Sequence, residues 1–156
     1  MAIGVNRSTP PERIPGSYLL RFDLVVGSSI EVGALGMLHL DAGSHYYAGS
    51  AFGPGGVAAR VARHVAGRGR PHWHVDRLRG LVPVREVWFS YAGRRLEHVW
   101  ARALLALPGA RISAARFGAS DCRCPGHLVH FPRSPSRTAL ATRLGGEGVH
   151  RWSVCS

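Results

Sequence analysis

The chain has 156 residues, which is long enough for one domain with a hydrophobic core and too short for two of ordinary size. Its hydrophobic content of 46% excludes a wholly disordered protein, and its three cysteines are too few for a secreted disulfide framework. The 20 basic residues, all of them arginine, outnumber the 9 acidic residues and give a net charge of +11.

The excess of positive charge has two interpretations. A coding bias explains arginine in place of lysine, but it does not explain why basic residues outnumber acidic ones. A surface with this excess attracts phosphates over long range, so the expected partner is a nucleic acid. No basic amphipathic helix supports binding to acidic lipids, and no apolar run reaches the roughly 18 residues of a membrane span. We therefore expect a reducing, cytoplasmic setting without membrane contact, and the oligomeric state stays open.

The pattern of hydrophobic residues predicts one domain between two weaker segments. Residues 1–15 contain Thr9-Pro10-Pro11, which resists helix and strand alike, and are predicted to be a flexible leader. The segment 133–156 is rich in Pro, Ser, Arg and Gly, and we expect it to be flexible or loosely docked. The domain between them spans 16–132.

Within the domain, β-branched and aromatic runs alternate with stretches of helical periodicity. The predicted strands are 17–26, 45–49, 84–91 and 127–131, the last of them as an edge strand, with a hairpin of 30–32 and 37–40. The predicted helices are 57–66, 72–81 and 94–107. The fold class that follows is α+β, with a small, mainly antiparallel sheet flanked by about three helices and an extra hairpin.

The first predicted helix carries the side chains best suited to bind a phosphate. Arg60, Arg63 and His64 stand at i, i+3 and i+4 and share one face, and we expect the valines of the same helix on the opposite face. The helix opens behind a glycine-rich loop that ends in Gly55 and Gly56. Free backbone N–H groups and the helix dipole at such a start favour an anion.

Glu97 lies in the first turn of the last predicted helix and is the best-placed carboxylate for a metal ion. Phosphodiester hydrolysis needs an activated water, neutralisation of developing charge, a leaving-group acid and usually a metal. A hard ion such as Mg²⁺ or Mn²⁺ takes oxygen ligands, and water and substrate oxygens would complete its coordination beside Glu97. Judged alone, Glu97 could instead complement the helix dipole.

These residues occur in an order that resembles the GIY-YIG endonuclease superfamily. The ordered motifs are Gly16-x-Tyr18, Tyr47-x-Gly49, Arg60-x-x-Arg63-His64 and Glu97. A closer likeness is to a compact branch whose members occur alone or fused to DNA-repair glycosylases of the endonuclease III type. That likeness is carried by Tyr46–Ala51, Gly53–Gly56, His72–Asp76 and Ser120–Leu128, and it covers roughly residues 16–132.

The resemblance implies a metal-dependent endonuclease that acts on DNA or structured nucleic acid. By analogy, Tyr47 takes a proton from the attacking water with Tyr18 in support, and Arg60 binds the scissile phosphate. His64 forms a hydrogen bond nearby, and Glu97 holds the metal. A phenol has a pKa near 10, so Tyr47 can act as a base only where cations lower its pKa. The alternative is a nucleic-acid-binding module that uses the same basic groove without cleaving.

Two further groups leave alternatives open. Either His72 or His74 could complete the active site as a general acid, with His74 favoured, and His72 would then contact nucleic acid. His72 and Asp76 at i and i+4 could also form a metal pair, although a histidine held by a carboxylate is commoner. Cys122 and Cys124, together with His127 and His130, invite a zinc site. A Cys-x-Cys spacing is poor for a structural zinc site, so we favour a structured polar loop.

Overall fold

A computed structural model describes residues 9–67, 74–119, 123–146 and 148–154. The strands are β1 (Gly16–Leu24), β2 (Ser28–Val32), β3 (Gly36–Leu40), β4 (Gly43–Ala51), β5 (Glu86–Ser90), β6 (Arg111–Ile112), β7 (Leu128–Phe131) and β8 (Val149–Ser153). The α-helices are α1 (Gly56–Ala66), α2 (His74–Leu81), α3 (Glu97–Leu105) and α4 (Arg137–Leu144), and a short 3-10 turn, Gly33–Leu35, joins β2 to β3.

Six strands form one antiparallel sheet in the order β6-β7-β4-β1-β5-β8, and β2 pairs with β3 in a separate hairpin. The expected α+β class, antiparallel sheet and extra hairpin are confirmed. β1 lies between β4 and β5, so Tyr18 is opposite Gly49 on one side and Phe89 on the other. The first motif of the sequence thus lies near the middle of the sheet.

Successive residues of β1 face two different cores, because side chains of a strand alternate between the faces of its sheet. Leu20 packs with Val61 of α1 and with α2, whereas Leu19 packs with Trp100 of α3 and with α4. The β2–β3 hairpin supplies Val32 to the first core. Helices therefore cover both faces of the sheet, and Tyr18 and Tyr47 belong to the face covered by α1 and α2.

The prediction of a flexible or loosely docked segment over 133–156 is wrong for most of it. Within 137–144 a fourth helix buries Leu140 and Leu144, and β8 adds a strand beside β5. The helix begins at a Ser136 cap whose hydroxyl accepts the Ala139 N–H. Its apolar residues are few, but all of them face the second core, which the prevailing Pro, Ser and Arg composition concealed.

Two smaller expectations about the sheet also change. β7 was predicted as an edge strand, but the short strand β6 pairs with it on its outer side. β1 ends at Leu24, because Val25 and Val26 are exposed in the turn that leads to the hairpin. The helix predicted from residue 94 begins at Glu97. That start puts Glu97 in the first turn, where the sequence had expected it.

Candidate active site

Tyr18 is a buried residue of β1 and belongs to a hydrogen-bonded chain that has His64 in its middle. Its hydroxyl lies 3.1 Å from His64 Nε2, and His64 Nδ1 lies 3.0 Å from Asp76 Oδ1. A carboxylate only accepts hydrogen bonds, so in the neutral imidazole Nδ1–H donates to Asp76 and Nε2 accepts from the Tyr18 hydroxyl. The geometry therefore links a strand and two helices through one chain of hydrogen bonds.

The space for the Tyr18 ring comes from Gly49. A side chain at Gly49 would bring its Cβ within 2.6 Å of the Tyr18 ring and hydroxyl, well inside van der Waals contact. The glycine of the Tyr-x-Gly motif on β4 is thus explained by the tyrosine of the neighbouring strand. A larger residue at position 49 would displace the phenol from His64.

His64 lies on the core-facing side of α1, which corrects an expectation from the sequence. It was predicted to share one face with Arg60 and Arg63, opposite the valines of the helix. Instead it is buried together with Val57 and Val61, because positions i, i+4 and i+7 fall on one helical stripe. Burial of an imidazole is tolerated here because both ring nitrogens have partners.

Arg60 lies on the same helix, one turn before His64, and is half-buried. Its Nη1 donates to the Ser50 carbonyl at 3.2 Å, which ties the guanidinium to the end of β4. Burial raises the pKa of Tyr18, and the charge and hydrogen bond of Arg60 oppose that rise. Arg60 is thus the cation whose charge favours ionisation of the Tyr18 phenol. Arg63 is half-buried one turn further along α1.

Tyr47 occupies the neighbouring strand and is shielded by the connection that leads to β7. Its ring makes an edge contact with Phe117 at 6.2 Å, and a Cβ at Gly118 would lie 2.7 Å from the ring. Gly118 adopts φ +72°, which favours glycine, and its N–H donates to His74 Nδ1 at 2.8 Å. Burial raises the pKa of Tyr47 well above its usual value, and Tyr18 and Glu97 add to the rise.

His74 is therefore connected to the site by a hydrogen bond from the backbone N–H of Gly118, rather than by one to a tyrosine hydroxyl. Because Nδ1 accepts from Gly118, the proton of the neutral ring resides on Nε2. Burial lowers the pKa of His74, and its ring packs against Phe117 at 5.5 Å. The other histidine considered for this role, His72, lies outside the described residues.

Glu97 joins the group from the opposite helical layer. The Leu96 N–H donates to Ser17 Oγ at 2.9 Å, which fixes the start of α3 beside the start of β1. Burial raises the pKa of both Tyr18 and Tyr47, and the negative charge of Glu97 adds to the rise. With 18% of its side chain exposed, Glu97 remains accessible to an ion or a water molecule.

The glycine-rich loop does not offer the anion site that the sequence predicted. The Val57 N–H donates to the Ile14 carbonyl at 2.9 Å, and the Ala58 N–H donates to the Glu12 carbonyl at 3.0 Å. Residues 12–14 thus cap the start of α1, although the leader was expected to be flexible. Gly56 is buried beneath Ile14, and neither it nor Gly55 presents a free helix start to a phosphate.

A second cluster of polar side chains lies beside Glu97. His98 in α3 approaches Cys124 and His127, and the potential ligand atoms of the three residues lie within 4.8 Å of one another. The zinc site suggested by the sequence included Cys124 and His127 but not His98, because nothing in the local pattern links a helix to a loop 26 residues away. His130, which it also included, instead approaches the Ala42 carbonyl at 2.8 Å. Cys122 lies outside the described residues.

Comparison with known proteins identifies the family of the chain. A family model described as a domain of unknown function, DUF123, matches residues 17–147. The chain belongs to the DUF123 family. A search of curated proteins and a search of solved structures each found no match.

The DUF123 match includes Tyr18 near its start and α4 near its end, so it covers both polar clusters and part of the docked C-terminal segment. Elsewhere in the protein, a polar cavity of about 460 Å³ is lined by none of the predicted site residues. It is lined by Arg21, Asp23, Arg85, Glu86, Arg137, Ser153 and Val154. No helix in the described ranges combines the length and apolar character needed to cross a membrane.

Proposed function

We propose that this protein is a divalent-metal-dependent endonuclease that hydrolyses phosphodiester bonds in DNA or structured nucleic acid. The observation that carries the proposal is the hydrogen-bonded chain Asp76–His64–Tyr18, with Arg60 and Glu97 acting on the same phenol. A buried relay of this kind is more than packing requires, because an apolar pair would avoid the cost of desolvating three polar groups.

In this proposal the relay handles a proton of the attacking water. Asp76 holds His64 in the tautomer whose Nε2 accepts, and Nε2 can then take a proton that passes through the Tyr18 hydroxyl. Tyr47 is the alternative first acceptor of that proton. Burial raises the pKa of both phenols, so neither becomes a base unless added positive charge offsets the burial.

Two sources supply the positive charge, Arg60 and a bound metal ion. Arg60 provides a planar set of donors for the non-bridging oxygens of a phosphate, as guanidinium groups do in phosphate recognition. For the metal ion, the part-exposed carboxylate of Glu97 presents hard oxygen donors, which suit Mg²⁺ or Mn²⁺. Such an ion, when bound by Glu97, would neutralise charge on the phosphate and lower the pKa of nearby oxygen acids.

DNA is the favoured substrate, because the family resemblance includes fusions to DNA-repair glycosylases and the net charge is +11. The burial of Tyr18 and Tyr47, at 2% and 5% exposure, favours one other candidate, a nucleic-acid-binding module that does not cleave. In that case the relay would stabilise the fold and Arg60 would contact the backbone of the nucleic acid. The two functions predict different effects of a divalent metal ion: the endonuclease needs the ion for cleavage, whereas the binding module does not cleave with or without it.

The test compares Glu97→Gln with a matched control, Glu31→Gln, which neutralises an exposed carboxylate of the hairpin. Purified proteins are incubated with Mg²⁺ or Mn²⁺ and with plasmid, single-stranded, flap and branched DNA. We expect Glu97→Gln to abolish metal-dependent cleavage and to keep nucleic-acid binding, because a neutral oxygen no longer anchors the ion. Glu31→Gln should cleave at the wild-type rate.

Each outcome has a clear meaning. Wild-type cleavage by Glu97→Gln would remove Glu97 from the site and reject its proposed role. Binding without cleavage by the wild-type protein, with every metal and every substrate form, would favour the non-cleaving module. If Glu97 only complements the helix dipole, the substitution should cost about 0.3–1 kcal/mol of stability and leave cleavage intact.

A further inference from the structure

The cluster of His98, Cys124 and His127 brings together two parts of the chain that are distant in sequence. His98 lies in the first turn of α3, and the other two residues precede β7. His98 Nδ1 is 3.1 Å from Cys124 Sγ, and the rings of His98 and His127 meet edge to face at 5.1 Å between centroids. His127 is buried, and the other two are half-buried.

The chemistry of the donors selects the ion. One sulfur and two imidazole nitrogens form a borderline-soft set that suits zinc, whereas Mg²⁺ and Ca²⁺ require oxygen ligands. Zn–S bonds of about 2.3 Å and Zn–N bonds of about 2.0–2.1 Å place tetrahedral ligands about 3.3–3.6 Å apart. The donors here already lie within 4.8 Å of one another, so small side-chain rotations would close the site.

A neighbouring carboxylate matches the usual surroundings of a metal-binding histidine. His98 Nε2 is 3.6 Å from Glu97 Oε1, so when Nδ1 binds an ion the opposite ring nitrogen faces an acceptor. Histidine ligands commonly donate their second N–H to a carboxylate, which fixes the ring. The cysteine is also held in place, because Arg116 Nη1 donates to the Cys124 carbonyl at 2.7 Å.

We propose that His98, Cys124 and His127 bind one zinc ion, which fastens the connection between β6 and β7 to the first turn of α3. The Cys124 thiol loses its proton to solvent as the zinc–sulfur bond forms. This inference goes beyond the proposed nuclease activity, since the role of the ion is to hold two segments together. It uses ligands that a catalytic Mg²⁺ would not use.

Zinc binding at this cluster would also hold parts of the candidate active site in position. The fastened connection carries Phe117 and Gly118, which pack against Tyr47, and Gly118 also donates to His74. On the other side of the ion, α3 carries Glu97. Zinc would therefore fix the distance between the shielded phenol and the carboxylate without contacting substrate.

The experiment measures zinc directly and needs no nucleic acid. Full-length protein is stripped with a chelator and titrated with zinc chloride, and bound zinc is counted by mass spectrometry. A parallel titration with Co²⁺ monitors the thiolate-to-metal charge-transfer band. We expect one equivalent of zinc, a cobalt–thiolate band, and a melting temperature about 5–10 °C higher at zinc concentrations 100-fold above Kd.

Matched variants separate the ligands from other residues of the same type. Cys124→Ser and His98→Ala should each lower zinc affinity by at least about 100-fold, since even residues outside the ligand set cost 10–100-fold. The controls are Cys155→Ser and His39→Ala, and both should bind zinc like the wild type.

The proposal is overturned by a wild-type protein that binds no zinc above background, or by Cys124→Ser retaining both wild-type zinc content and the cobalt–thiolate band. If a ligand variant does not fold, the Co²⁺ spectrum of the wild type still decides whether the thiolate coordinates metal. The nuclease proposal can fail while zinc binds, and zinc binding can fail while cleavage persists, so the two outcomes are distinguishable.

Discussion

Tyr18→Phe gives the sharpest test of the proposed relay, because it removes one oxygen atom and keeps the ring against Gly49. The substitution removes the hydrogen bond of 3.1 Å between the Tyr18 hydroxyl and His64 Nε2. Removing one partner of a buried hydrogen bond costs about 1–3 kcal/mol. For a protein of this length each kcal/mol corresponds to a melting-temperature shift of about 2–4 °C, so we expect a decrease of about 2–12 °C.

The effect on cleavage should be much larger than the effect on stability. Positioned proton transfer contributes about 10²–10⁴-fold to a rate, so removal of the Tyr18 hydroxyl should slow metal-dependent cleavage by a factor in that range. The matched control is Tyr46→Phe, since Tyr46 is equally buried on the same sheet but faces the second core. That variant should cleave at the wild-type rate.

The assay is single-turnover cleavage with Mg²⁺ at a temperature well below the melting point of either variant. Binding is measured in parallel, because an intact Arg60 should keep the affinity for nucleic acid. A folded Tyr18→Phe protein that cleaves at the wild-type rate would refute the relay. Equal loss in both phenylalanine variants would attribute the defect to packing rather than to proton transfer.

Two further predictions concern stability. Burial raises the pKa of Tyr18 and Tyr47, and it raises that of Tyr46 to about 12, so the folded state keeps protons that the unfolded state releases near pH 10. The contribution of these tyrosines to the free energy of unfolding is therefore complete below pH 10. Above pH 10 that free energy should fall by about 1.4 kcal/mol per pH unit per tyrosine. Denaturant unfolding between pH 9 and 12 measures the decrease, and a flat profile would contradict it. Leu144→Ala should cost about 2–5 kcal/mol in denaturant unfolding, whereas Leu81→Ala, 41% exposed, should cost under about 0.5 kcal/mol; equal costs would mean that α4 is not part of the core.

The sequence predicted the elements whose signals are local. Valines spaced four residues apart identified α1, and the bounds of the hairpin differ by two residues at most from those observed. The C-terminal segment was missed because α4 is short and its few apolar residues stand among arginine, serine and glycine. Their contribution depends on contacts with α3, where Trp100 Nε1 donates to the Leu144 carbonyl at 3.1 Å. Such a contact leaves no trace in a local pattern.

The candidate site divides in the same way. Ordered motifs identified Tyr18, Tyr47, Arg60, His64 and Glu97 as one group, and the roles assigned to them stay predictions. Asp76 approaches His64 across α1 and α2, a contact that the sequence does not show, whereas its predicted partner His72 lies outside the described residues. The helix-start phosphate site failed for a related reason, since the leader that caps α1 precedes it by more than 40 residues.

Glu97 and His98 are adjacent in sequence, yet each belongs to a different cluster. In the first turn of a helix, successive side chains point about 100° apart, so one can face the phenols while the next faces Cys124. The contact between Glu97 Oε1 and His98 Nε2 then connects the two clusters through a single carboxylate. If both proposals hold, removing zinc should loosen Glu97 before it unfolds the protein. Cleavage in excess Mg²⁺ should then be lost at concentrations of a zinc-selective chelator that leave the far-UV spectrum unchanged.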